Sequence, residues 1–172
     1  MQYPKQHHDI ITTLLGGRFI IDHSPLFAII SKEQEFYRSF FYETYRYELQ
    51  WEGTYCYLSS KETKETASRD LLLLLSVLAY EYQNDQKDFV HILLHEEIRV
   101  ADIERCIKES SKYDDIIRST QAEDVKKFLD FWKNRNLITY TKRDESMLRF
   151  NTPIKSFLDI SANLSQLHLL EA

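Results

Sequence analysis

Residues Thr120 to Asn151 read TQAEDVKKFLDFWKNRNLITYTKRDESMLRFN, and this segment more than any other sets the architecture. Thr120-Gln121-Ala122-Glu123 has the form of a capping box, in which hydroxyl and carboxylate each satisfy an orphan N–H at a helix start. Val125, Phe128, Leu129 and Trp132 follow at i, i+3, i+4 and i+7, the spacing of one buried helix face. The pattern predicts an amphipathic helix ending near Asn134. The period then changes. Leu137–Lys142 and Met147–Asn151 are short extended runs joined by a polar turn, Arg143–Ser146. A third helix closed by a β-hairpin is the winged-helix arrangement, with the helix as potential recognition helix and the hairpin as wing.

The upstream half repeats the plan. Ser31-Lys32-Glu33-Gln34 also fits a capping box and opens a helix with Phe36, Tyr37, Phe40, Phe41 and Tyr45 as its apolar stripe. Tyr47–Trp51 and Thr54–Leu58 follow as two strands around Glu52-Gly53, a two-residue hairpin signal. Ahead of them come a helix over residues 5–15 stopped by Gly16-Gly17 and a short strand or extended link at Arg18–Asp22. A helix capped by Ser24-Pro25 then runs to Ile30.

Ser59–Ala67 is polar and reads as a linker, after which Ser68 would cap a helix from Arg69 to Gln83 that is apolar nearly all round. Phe89–Leu94 reads as strand or helix, Ala101–Glu109 as helix, and Ser110–Ser119 as a polar connector. Thr152-Pro153 opens a last helix with Ile154, Phe157 and Leu158 on one face. The expectation is a mainly α chain with short β-hairpins (α+β), organised as tandem winged-helix domains. These are a module over 1–60, a linker over 61–68, and a module over 69–172 with a C-terminal helix.

Composition excludes several functions. The chain has 172 residues, enough for one ordinary domain or two small ones. Its only glycines are Gly16, Gly17 and Gly53, so neither a Walker A loop nor a dinucleotide fingerprint can be drawn. With 22 basic and 27 acidic residues the net charge is −5, so the surface as a whole does not attract nucleic acid. The N-terminus MQYPKQHHDI has no apolar signal-peptide core, and Cys56 and Cys106 are expected reduced and packed in a cytoplasmic protein. LLLLLSVLAY, Leu71 to Tyr80, is about half the ~20 residues a membrane span needs.

No nucleophile context is present, and no enzyme and no cofactor is expected. His91 and His95 stand at i, i+4 before Glu96-Glu97, but a metalloprotease helix needs Glu directly after the first His and Ile92 is there. No metal site is expected. The basic residues are better placed. Lys126, Lys127, Lys133 and Arg135 lie on or just past the second long helix, Lys142 and Arg143 at the hairpin tip, and Arg149 on the return strand. On a recognition helix and wing they would neutralise phosphates without reading sequence. Glu123, Asp124, Asp130, Asp144 and Glu145 are interleaved with them. Tyr37, Tyr42, Tyr45, Tyr55 and Tyr57 exceed what one small module can bury, and form the candidate protein interface.

The segment GRFIIDHSPLFAIISKEQEFYRSFFYETYRYELQWEGTYCYLSS, Gly17 to Ser60, resembles the N-terminal module of the MukE and MksE subunits of bacterial condensin-like complexes. The likeness rests on Gly17-Arg18, the Phe/Tyr-rich helix Phe36 to Tyr45, Gly53, and Tyr57-Leu58. KKFLDFWKNRNLITY, Lys126 to Tyr140, matches the second module in kind. The resemblance implies a tandem winged-helix, kleisin-interacting (KITE) scaffold without an active site, forming a homodimer. Its partners would be a MukF/MksF-like kleisin subunit and, through it, a MukB/MksB-like SMC-type ATPase. The setting would be cytoplasmic and nucleoid-associated, in chromosome organisation and segregation or plasmid defence, with no membrane. DNA would be touched within the complex through positions among Lys126, Lys127, Lys133, Arg135, Lys142 and Arg143. The alternative is a stand-alone winged-helix transcription regulator, against which the net charge and interleaved acids speak.

Overall fold

The computed structural model describes residues 5–60, 66–110 and 125–159. The fold class is α+β, helices accompanied by two antiparallel three-stranded sheets. The chain divides into two compact units, Met1–Lys64 with Asn134–Asn136, and Glu65–Lys133 with Leu137–Ala172.

In the first unit α1 (His7–Leu15) buries Ile10 and Leu14, one turn apart. It ends in a Schellman motif: the N–H of Gly17 (φ 69°) donates to Leu14 O and that of Arg18 to Thr13 O. β1 (Ile20–Ile21) leads to α2 (Pro25–Lys32), where Ser24 Oγ accepts from the Leu26 N–H at 3.3 Å and Pro25 holds the first helical position. The capping box expected at Ser31 does not form. Because α2 runs on to Lys32, Ser31 is inside it and its hydroxyl donates back to Phe27 O at 2.6 Å. α3 (Gln34–Tyr45) therefore starts at Glu33 without a side-chain cap.

The hairpin of β2 (Glu48–Trp51) and β3 (Tyr55–Ser59) pairs Trp51 with Cys56, which centres the turn on Gly53-Thr54 rather than Glu52-Gly53. Gly53 has φ 69° and the Thr54 N–H closes a tight turn onto Glu52 O at 2.7 Å, so glycine sits where the chain reverses. Ile20 pairs with Cys56, giving sheet order β1-β3-β2. Ile10, Leu14, Ile20, Ile30, Tyr37, Phe41, Leu49 and Cys56 form the core against which α1, α2 and α3 close.

The second unit opens with α4 (Thr66–Asn84), two residues ahead of the Ser68 start read from the sequence; linker residues 61–65 lie outside the described residues. Leu71, Leu74, Leu75 and Leu78 are buried, whereas Ser76 and Tyr80 are exposed, so α4 is amphipathic rather than apolar all round. Phe89–His95 is a helix, α5, because the Asp88 carboxylate accepts from the His91 N–H at 3.0 Å and starts it. β4 (Ile98–Arg99), which no periodicity announces, is followed by α6 (Val100–Glu109) with Ile103 and Ile107 buried.

The Thr120–Glu123 capping box and the Ser110–Ser119 connector beyond Ser110 lie outside the described residues. α7 (Val125–Asn134) buries Val125, Phe128, Leu129 and Trp132, the expected face. β5 (Ile138–Tyr140) and β6 (Met147–Phe150) pair antiparallel, and β4 joins β6 to give order β4-β6-β5. Residues 154–159 are helical, with Ile154 buried. Strand order within the two sheets is thus the same: each short early strand pairs with the return strand of the hairpin.

Candidate nucleic-acid and partner interface

α7 turns its apolar face inward, which leaves Lys126, Lys127 and Lys133 exposed. Lys126, Asp130 and Lys133 share one flank, by the 3.6-residue period, and Lys127 lies on the other. The hairpin turn carries Lys142 and Arg143, both exposed. Glu145 ties that turn to the helix. Its N–H donates to Lys142 O at 3.0 Å and its Oε1 lies 2.6 Å from Lys133 Nζ. The Lys133 ammonium also stands 5.0 Å from the Tyr140 ring centroid, on β5. The hydrogen bond that Lys133 donates to Glu145, together with the Glu145 charge, raises the Lys133 pKa.

The neighbouring Asp144 accepts from Ser146 Oγ at 2.7 Å and from the Ser146 N–H at 3.1 Å, which lowers its pKa and shapes the turn. On the adjacent strands, Arg149 lies 3.5 Å from Glu97, which also accepts from Thr141 Oγ1 at 3.1 Å. The structure therefore pairs Lys133 with a carboxylate of the turn that carries Lys142 and Arg143. Arg135, half-buried in the turn after α7, belongs to the stretch grouped with the first unit. Glu145 and Tyr140 are the members that the sequence did not single out as ligands of this face. The hint was an acid in a basic turn opposite a helix lysine.

The tyrosines separate. Tyr37 is fully buried and Tyr55 is 5% exposed, so both are core residues of the first unit and not surface. Tyr37 Oη lies 3.3 Å from His7 Nδ1, and the His7 ring packs on Phe36, Tyr37 and Phe40. Tyr57 is half-buried against Phe19 and Tyr55, and burial first, then the Glu52 charge, raises its pKa. Tyr42 (55% exposed) and Tyr45 (40%) are the exposed members of the set, one turn apart on α3. The Arg46 guanidinium stands 5.8 Å from the Tyr42 ring centroid. The Glu35–Arg38 pair (3.4 Å) shares that face by helical spacing.

His91 and His95 share a face of α5 with ring centroids 5.1 Å apart, and His91 Nδ1 lies 3.4 Å from Glu96. Among the described residues no three His, Cys, Asp or Glu side chains converge on a metal position. Burial pushes the Cys56 thiol up to about 12 and the Cys106 thiol to about 11, so neither is a thiolate near neutrality. No described helix is long and apolar enough to cross a membrane.

No curated protein matches the chain. The profile of a protein family described as "Condensin complex protein MksE" matches residues 5–161.

Proposed function

The chain belongs to the MksE family of condensin complex proteins, and from that premise we propose a non-enzymatic scaffold subunit of a bacterial condensin-like SMC–kleisin complex. A homodimer of this chain binds the kleisin, and through it the SMC-type ATPase, in the cytoplasm at the nucleoid. The assembly handles chromosomal or plasmid DNA. Each unit is read as a winged-helix module. Support comes from the shared strand order of the two sheets and from the helix–hairpin ending of each unit.

The family match over 5–161 is the observation that carries the reading. Two faces divide the work. The α3 face with Tyr42 and Tyr45 serves protein contact, as exposed tyrosines do. The α7–hairpin face with Lys126, Lys127, Lys142 and Arg143 meets the DNA backbone, where lysines and arginines give salt-sensitive affinity without sequence preference.

Co-expression with the products of the adjacent genes, followed by size-exclusion chromatography with light scattering, tests the assembly. The expected result is a stable complex holding two copies of this chain. A chain that elutes alone and shifts one particular duplex unaided would instead make it a stand-alone regulator. Replacing Lys126, Lys127, Lys142 and Arg143 together by Glu is expected to abolish DNA retention by the complex and leave assembly intact. Unchanged retention would remove the DNA role from this face.

A further inference from the structure

The ammonium of Lys133, a candidate phosphate ligand, is paired with an acid of the same unit. Glu145 Oε1 lies 2.6 Å from Lys133 Nζ, with the two side chains 44% and 48% exposed, so water and ions reach both. Glu145 is held at φ 55° in the turn that carries Lys142 and Arg143. The turn thus presents a carboxylate to the helix and two cations to solvent. The Tyr140 ring, 5.0 Å from the ammonium, keeps Lys133 at the junction of α7 and the hairpin. A phosphate oxygen and a carboxylate oxygen are the same kind of charge-assisted acceptor for an ammonium. An exposed pair of this type is cheap to open.

We propose that the Glu145 carboxylate holds on Lys133 the place of a DNA phosphate, so that duplex binding exchanges one anion for the other and Glu145 sets how tightly this face grips the backbone. This rests on the DNA-contacting reading of the α7–hairpin face. While the pair is closed, Lys133 is neutralised from within and displaces no counterion from DNA. When a phosphate takes the ammonium, the released carboxylate is left beside a polyanion, with Asp130 one turn away on the same flank of α7. Both effects oppose binding. Grip on the duplex then falls to Lys126, Lys127, Lys142 and Arg143, and Glu145 limits affinity without touching DNA.

The test uses the assembled complex and a fluorescein-labelled random-sequence duplex, titrated by anisotropy at several salt concentrations. Glu145→Gln is expected to tighten binding about threefold to fivefold and to steepen the log K against log salt slope by about 0.9 per chain. Lys133→Met in the Glu145→Gln background is expected to cancel both changes. Asp130→Asn removes the same charge without touching the bridge, and is expected to do markedly less.

Binding by Glu145→Gln equal to that of the parent overturns the exchange. So does a gain that survives Lys133→Met, or one that Asp130→Asn matches, since either reports net charge alone. Lys142→Glu/Arg143→Glu separates the two layers. If that variant loses DNA, the DNA-contacting face stands whatever Glu145 does. If it holds DNA as well as the parent, or if the parent complex holds no duplex, the DNA reading fails and the exchange falls with it.

Discussion

Arg46, Gln86, Asn136 and Glu145 occupy positive φ, at 60°, 57°, 61° and 55°, in a chain with three glycines. Glycine scarcity limits more than nucleotide loops, since it leaves left-handed corners to residues that pay for them. At Gln86 the corner is a Schellman motif, with the Gln86 N–H on Gln83 O and the Lys87 N–H on Tyr82 O. A left-handed L-residue costs roughly 1–2 kcal/mol, and glycine's larger unfolded-state entropy returns part of that. Gln86→Gly is therefore expected to stabilise the chain by about 0.5–1 kcal/mol, read as a higher urea midpoint; a lower midpoint would show that the Gln side chain contributes more than its backbone costs.

Titration is decided at the same scale. Cys56, Cys106 and Tyr82 are pushed up by burial to about 12, 11 and 12, above their ordinary 9.0, 9.0 and 10.0. Above about pH 9 the unfolded chain releases protons that the folded chain keeps, so stability falls as pH rises toward about 12. The urea midpoint at about pH 10 is expected below that at about pH 8, and equal midpoints would contradict the burial of these groups. The exposure of Tyr42 against the burial of Tyr37 was beyond the sequence. Both lie on one aromatic helix, and only packing on α1 and the sheet distinguishes them.

Elements were legible where a local chemical signal and a period agreed. Ser24-Pro25 started α2, and the i, i+3, i+4, i+7 stripe drew α7 to its last residue. Signals failed when a neighbouring element overrode them. The Ser31 box lost to an extra turn of α2, and the first hairpin turn moved by one residue so that Gly53 took the positive φ. β4 is two residues long, too short to show any period, and exists through pairing with β6. The α5 segment was ambiguous because its apolar run is short. Its identity rests on the Asp88 cap, which makes a prediction. Asp88→Ala is expected to cost about 1 kcal/mol and fray the start of α5, with Asp88→Asn retaining most of it. Thermal unfolding of the two variants separates them, and equal loss in both would deny the cap its role.

For the whole molecule, the basic residues of the candidate site are visible in the sequence, but their charge balance is not. Counting showed lysines and acids interleaved, and only geometry shows that Glu145 meets Lys133 while Arg135 falls in a stretch grouped with the other unit. The core of the first unit is drawn wholly from residues between Ile10 and Cys56. Residues 1–64 alone are expected to unfold cooperatively, with no more than about 3–5 kcal/mol of stability, as cores of that size supply. A non-cooperative urea transition for that fragment would mean that residues 134–136 are needed to complete it.

Strand order also governs the timing of synthesis. Ile20 waits only for Cys56, so the first sheet can close soon after Ser59 leaves the ribosome. Ile98 must wait for Leu148, near the end of the described chain. The nascent chain therefore passes through a stage with the first sheet closed and β4 still without its sheet neighbour, the stage at which a chaperone would find it and crowding would harm it.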